Sequence, residues 1–415
     1  MSPTNACGPD QPAGAARALR STTAIRERAR HLLARARAGE SDCFAINDGA
    51  MALAASTVAE LTRVRFPDGR IPYHSRWRHF EAGGVDRRAQ MDAMLRPVDA
   101  ADRARAQIDL ALVSVLLDAG AGPQWCYLEA DSGQTFSRSE GLGVASFHAF
   151  TAGLFSGDPA RPLQVDAAGL AGVTAARLGA AFQVATGNPL VGLEGRAALL
   201  RRLGEVLRAQ PDTYGPCGRP GLLFDALCPA GQGVVAAHDI LQRLLETLSG
   251  IWPSQNAIGG EPLGDCWPHP AVQGEGLTAG WMPFHKLSQW LSYSLLEPFE
   301  WAGVTATGLD ALTGLPEYRN GGLFIDTGVL RPLPADALSR AWQAGDAFIV
   351  EWRALTVALL DELAPLVRTE LGLDASQMPL ACVLEGGTWA AGRLLAQRLR
   401  GGLPPLNIES DGTVF

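Results

Sequence analysis

A chain of 415 residues, 47% hydrophobic and 19% charged, has ample material for a core and length for one large domain or two to three ordinary ones. Its formal net charge of −8 leaves no basic stripe to neutralise a phosphate backbone, so a nucleic-acid partner is not expected. Seven scattered cysteines without a CxxC pair read as reduced thiols, and neither a membrane-spanning run nor a signal-peptide hydrophobic region is visible. The expectation is a cytoplasmic protein with no membrane partner.

Residues 1–22, rich in Ala, Gly and Pro, read as a flexible N-terminal tail, and residues 23–415 as a single domain. From Thr23 the pattern is helical: AIRERARHLLARARAGE puts Ile25, Leu32 and Leu33 on one face and ends at Gly39. MALAASTVAELTRVRF is a second amphipathic segment. In IPYHSRWRHFEAGG, Arg76 and Arg78 stand beside aromatic rings, either gripping an anion or forming a solvated face. His74 and His79 are poorly spaced for a metal and suit hydrogen bonding. ARAQIDLALVSVLLDAGAGPQW reads as a buried helix that ends at Asp118 in a Gly-rich break, with Trp125 near that terminus. A hairpin-like piece surrounds Ser132–Gly133, followed by a helix that Ser139 caps. EGRAALLRRLGEVLRAQ and HDILQRLLETLSGIW are further helices, the latter ended by Gly250.

Lys286 is the only lysine among 35 basic side chains. An ammonium is a compact point charge where a guanidinium is a wide fork, so a tight site around a phosphate or carboxylate can demand it. The helix KLSQWLSYSLLEP begins at or just before it, where a bound anion and the free N–H groups offset a misplaced cation. A surface lysine left by chance is the alternative. In GGLFIDTGVLRP the glycines Gly321 and Gly322 break the preceding segment, and Asp326 follows a short apolar run. Asp326 is then either a partly desolvated reactive carboxylate or the cap of the next turn. The strongest helical signal follows and carries Glu351 and Arg353, which face different ways, so that one points to a site while the other is exposed. LEGGTWAAGRLLAQRLRGG opens on a Gly-broken start with Glu385, then a helix with Trp389 and Arg393. Helical patterns recur from end to end and strands are few: the fold class is mostly α.

Several segments together resemble a known family, the uracil-catabolism proteins of fungi and bacteria. They are RIPYHSRWRHFEAGGVDR, LLDAGAGPQWCY, FSRSEGLGVASFHAF, MPFHKLSQWLSYSLLEPFEWAG, YRNGGLFIDTGVL and PPLNIESDGTVF, spread from about Ala45 to Phe415. The resemblance implies a step that breaks ribosylurea, free or phosphorylated, into urea and a ribose. A remoter resemblance to the queuosine-salvage N-glycosidases rests on Asp118 with Trp125, on Phe136 to Ser139, on Phe284–His285–Lys286, on Asp326 to Val329 and on Glu351 with Arg353. It implies a DNA-glycosylase-like helical fold, an Asp at the anomeric carbon and a Lys near the substrate phosphate. Gly328, Leu330 and Ala121 depart from that pattern, as suits urea in place of a large base.

Cleavage of a C–N glycosidic bond passes through an oxocarbenium-like state that a carboxylate stabilises or attacks. Asp326 is the candidate, with Asp118 as the second catalytic carboxylate. Urea leaves poorly as an anion, and Asp118, Glu385 and His285 are candidates to protonate or hydrogen-bond it. Trp125 or Trp389 would wall the pocket, with Lys286, Arg76, His79, Ser139, Arg353 and Arg393 as further substrate contacts. The chemistry calls for a small nucleoside-derived substrate and for no metal or cofactor. The competing expectation is a non-catalytic protein that senses a pyrimidine catabolite.

Overall fold

The computed structural model describes residues 8–95, 97–229, 232–252, 254 and 256–409. It is mostly helical, with short two-stranded pairings and no larger sheet among the described residues. The chain divides into two compact units. One takes the described residues of Met1–His74, Ser254–Gln289 and Leu309–Glu409, the other those of Ser75–Pro253 and Trp290–Gly308.

The first unit is built on the helix Ala347–Leu371, against which Thr22–Arg37 and Met51–Arg65 pack. This helix is apolar nearly all round, and both Glu351 and Arg353 are buried in it. The expected split, one inside and one exposed, does not hold. At full burial, two residues two apart both meet protein, and each carries its own partner: Ser41 Oγ donates to Glu351, and Arg353 meets Asp265.

The expected tail departs from its composition. Residues 1–7 lie outside the described residues, but Pro12–Leu19 is a helix with Pro at its start, and Ser21 then caps Thr22–Arg37 by accepting from the Ala24 N–H. Ala15, Ala16 and Leu19 are fully buried against Ile258, Leu263 and Cys266. Small side chains allow close packing here, and composition alone read them as loose.

Gly321 and Gly322 also differ from expectation. They sit inside the helix Tyr318–Asp326 and do not break it. A Cβ on Gly321 would stand 2.5 Å from the Trp352 ring. The glycines are there for close approach, and Asp326 becomes the last residue of a helix, not the first after a break.

In the second unit the helix Ala100–Leu116 is buried almost without interruption from Ala106 onward. Cys126–Leu128 pairs antiparallel with Thr135–Ser137 across the expected hairpin. The next helix, Arg138–Thr151, starts before Ser139. Ser139 therefore lies in its first turn and does not cap it, because the strand runs straight into the helix. The division between the units falls within the helix Lys286–Trp301, which begins at the expected lysine.

Candidate active site

In the first unit the chain before Lys286 is held by Asp265. The backbone N–H groups of Phe284 and His285 donate to the Asp265 carbonyl at 2.9 and 3.1 Å. The Asp265 carboxylate accepts the Lys286 N–H at 3.0 Å and the Trp267 indole N–H at 2.7 Å. Arg353 completes the shell in bidentate fashion, at 2.7 and 2.8 Å, while its guanidinium lies 4.0 Å over the Phe284 ring. Burial alone would raise Asp265. The Arg353 charge and these donors outweigh it and hold the carboxyl well below its usual range. An anion does stand at this helix start, and it is the protein's own. Arg353 is thereby committed to Asp265.

His285, expected as a proton donor, is 3% exposed, adopts φ of 51° and has its Nε2 3.0 Å from the Leu19 carbonyl. Burial lowers its pKa, against the opposing pull of the Leu19 carbonyl and Asp265. It is a structural tie to the N-terminal helix.

The half-buried Lys286 acts electrostatically on Glu317. Glu317 caps the helix Tyr318–Asp326, accepting the Arg319 N–H at 2.7 Å and the Asn320 N–H as well. Burial raises its pKa, only partly offset by those two N–H groups and by the charges of Lys286 and His74. His74 also reaches Glu385, with Nδ1 2.8 Å from Oε2. Arg65 Nη2 donates to the other Glu385 oxygen at 2.8 Å. Burial would raise Glu385 too, but His74 and then Arg65 prevail and its pKa is lowered. Glu385 stands in a π-helical turn, Leu384–Thr388, that interrupts the last helical stretch. Such turns recur at functional sites.

Lys286, Glu317, His74, Glu385 and Arg65 thus form one linked cluster in the first unit. Two of them, Lys286 and Glu385, were singled out from sequence. His74 was expected to hydrogen-bond and does. Glu317, Arg65 and Asp265 were missed; Pro316–Glu317 ahead of a helical segment was the one available signal, for a cap.

Asp326 lies apart from this cluster. Its side chain is 2% exposed and accepts from Arg400 Nη2 at 2.6 Å. Trp389 opens the helix Trp389–Arg400, and the exposed Arg393 lies 5.5 Å over its ring.

The second unit gathers Arg76, His79, Asp118 and Ser139. Arg76 is fully buried, pairs with Asp118 at 2.9 Å, donates to Ser114 Oγ at 2.6 Å and to the Ser139 carbonyl at 3.2 Å. Its pKa is lowered by burial, which Asp118 only partly offsets. The Trp290 ring faces both Arg76 and His79. Trp125 is core: 1% exposed, stacked on Phe182, with its indole N–H on the Phe182 carbonyl at 3.0 Å. Among the described residues, no three His, Cys, Asp or Glu are grouped to hold a metal, and no helix is long and apolar enough to cross a membrane.

Residues 18–415 match the family described as "Protein of unknown function (DUF1688)". The chain belongs to this family. It is 39% identical over 407 residues to "Protein urg3" of Schizosaccharomyces pombe, covering 96% of this chain and 98% of that protein. It is 40% identical over 381 residues to "Uracil catabolism protein 4" of Lachancea kluyveri, covering 83% of this chain and 85% of that protein.

Proposed function

We propose that this protein acts in uracil catabolism, as a hydrolase that cleaves the N-glycosidic bond of ribosylurea or its phosphate to urea and ribose or ribose phosphate. The relative in Lachancea kluyveri carries uracil catabolism in its name. The observation that carries the chemical reading is a pair of buried carboxylates that both feel the charge of His74, Glu317 raised and Glu385, which His74 touches, lowered. Two carboxyls driven apart in this way suit the acid and the charge-stabilising roles of glycoside cleavage.

In this reading Glu317, its proton affinity raised by burial, gives a proton to the urea nitrogen as the C–N bond breaks. The Glu385 carboxylate, held by Arg65 and His74, stabilises the positive charge at the anomeric carbon. A water oxygen bonds to that carbon, its proton passes to the Glu385–His74 pair, and solvent exchange resets both groups. Lys286 meets the sugar phosphate. The anomeric role passes from Asp326 to Glu385, because Glu385 pairs with His74, whose charge also acts on the proton donor.

The test is urea release by the purified chain from ribosylurea and from its 5-phosphate. Glu385→Gln should lower turnover at least about a hundredfold, the scale of one lost electrostatic partner. Lys286→Ala should weaken binding of the phosphate by about 2–3 kcal/mol and spare the unphosphorylated compound. No urea from either compound with the wild-type chain would overturn hydrolysis and favour a catabolite sensor.

A further inference from the structure

The segment Thr313–Glu317 has no regular secondary structure and is pinned by three side chains. The Thr313 N–H donates to Gln289 Oε1 at 3.2 Å. Asn320 Nδ2 donates to the Leu315 carbonyl at 3.0 Å, and Arg353 Nε to the Pro316 carbonyl at 3.3 Å. The two amides are each half used. Gln289 Nε2 and Asn320 Oδ1 are buried and have no hydrogen-bond partner among the described residues, and both residues are 0% exposed. The backbone partners also fix which end of each amide is which. Flipping Gln289 would set its NH2 against an N–H, and flipping Asn320 would set its oxygen against a carbonyl.

A buried donor and a buried acceptor left open cost free energy unless something meets them. Both stand close in the chain to residues of the cluster already described. Gln289 is three residues after Lys286 on one helix, hence on the same face. The Asn320 backbone N–H donates to the Glu317 carboxylate. Their anchors on the shared segment are only two residues apart.

We propose that Gln289 and Asn320 recognise the carbamoyl group of a ureide, the Gln289 amide donating to its carbonyl oxygen and the Asn320 carbonyl accepting from its NH2. This rests on the hydrolytic reading for its site and extends it to the leaving group. One planar amide group offers both a donor and an acceptor, which complements in kind the open donor of Gln289 and the open acceptor of Asn320. Gln289 and Asn320 would hold the leaving nitrogen for Glu317 and reject ribosides whose leaving group lacks a carbamoyl.

The test compares ribosylurea with ribose, by calorimetric affinity and by KM, on the full chain and on Gln289→Met and Asn320→Leu. Gln289→Glu serves as a second variant, since it keeps the oxygen that Thr313 needs and replaces the open NH2 donor by a carboxyl oxygen. Ribosylurea affinity should fall about tenfold to a hundredfold in each, the range for leaving a buried partner unmet. Ribose affinity should stay within about twofold, since ribose lacks the group being read. Equal losses for both ligands, or none, would overturn the assignment. Urea release by the wild-type chain with unchanged variant affinities would sink this inference and leave hydrolysis standing. Selective loss of ribosylurea binding in the variants, without urea release by the wild-type chain, would support carbamoyl recognition and sink hydrolysis. A wild-type chain that binds no ribosylurea overturns both.

Discussion

Two buried aspartates, one in each unit, face an arginine and end with opposite proton affinities. Asp265 receives both Arg353 N–H groups, the Lys286 N–H and the Trp267 indole. It is held well below the usual carboxylate range. Asp109, 0% exposed, receives one Arg219 nitrogen and the Gly221 N–H, each at 2.7 Å, with a further backbone hydrogen bond from Val165. Burial wins there and pushes it up to about 6. An arginine alone does not offset the burial of a carboxyl. The number of donors that replace its hydration decides.

The largest expected effect breaks the better-solvated pair. Asp265→Ala leaves Arg353 buried without its carboxylate and removes the anion at the Lys286 N–H. It should cost about 3–5 kcal/mol in guanidinium denaturation. A loss under about 1 kcal/mol would show that neither the charge of Asp265 nor its hydrogen bonds hold this corner together.

A smaller effect sharpens the contrast through pH. Asp109 has a folded pKa of about 6 against an ordinary 3.8, so the native state binds its proton more tightly between these values. Stability from this group is therefore greatest at the acid end, falls as pH rises from about 4 to 6, and is flat above. The slope is at most about 1.4 kcal/mol per pH unit. Glu297, raised by burial to about 7, adds a fall of the same sign up to that value. Asp265 contributes oppositely, its stabilisation being lost as pH falls below the ordinary aspartate range. Denaturation of Asp109→Asn from pH 4 to 7 should show a shallower decline than wild type. Parallel curves would mean that Asp109 stays charged.

The smallest effect concerns Asp326. Its partner Arg400 is 29% exposed, so Asp326→Asn should cost about 1 kcal/mol or less and leave urea release within a few-fold of wild type. A hundredfold loss of turnover with the melting temperature preserved would return the anomeric role to Asp326.

What was legible in the sequence follows from range. The helical class was visible because its period repeats within each element, and the sole lysine marked a helix start without any partner being known. Asp265 was not legible: the Lys286 N–H and the Arg353 guanidinium that meet it are 21 and 88 residues away in the chain, and no local spacing connects them. Glu317 shows only its capping role locally, since the neighbours that perturb it include His74 and Lys286 from distant segments. Gly321–Gly322 misled for the converse reason. The Trp352 ring that demands glycine there is supplied by another helix, so a packing requirement looked like a break.

The wide turn Leu384–Thr388 has a consequence for how this chain can diverge. A π turn accommodates one residue more than an α turn, so it can be gained or lost by a single-codon insertion or deletion. Removing one residue there would restore α register and swing Glu385 about 100° around the helix axis, away from His74 and Arg65. Gly387 narrows the options further, since a Cβ would stand 2.5 Å from the Val58 carbonyl oxygen. The route to a different reactive group in this chain is thus a change of reading length at the turn, with point substitution the more constrained path.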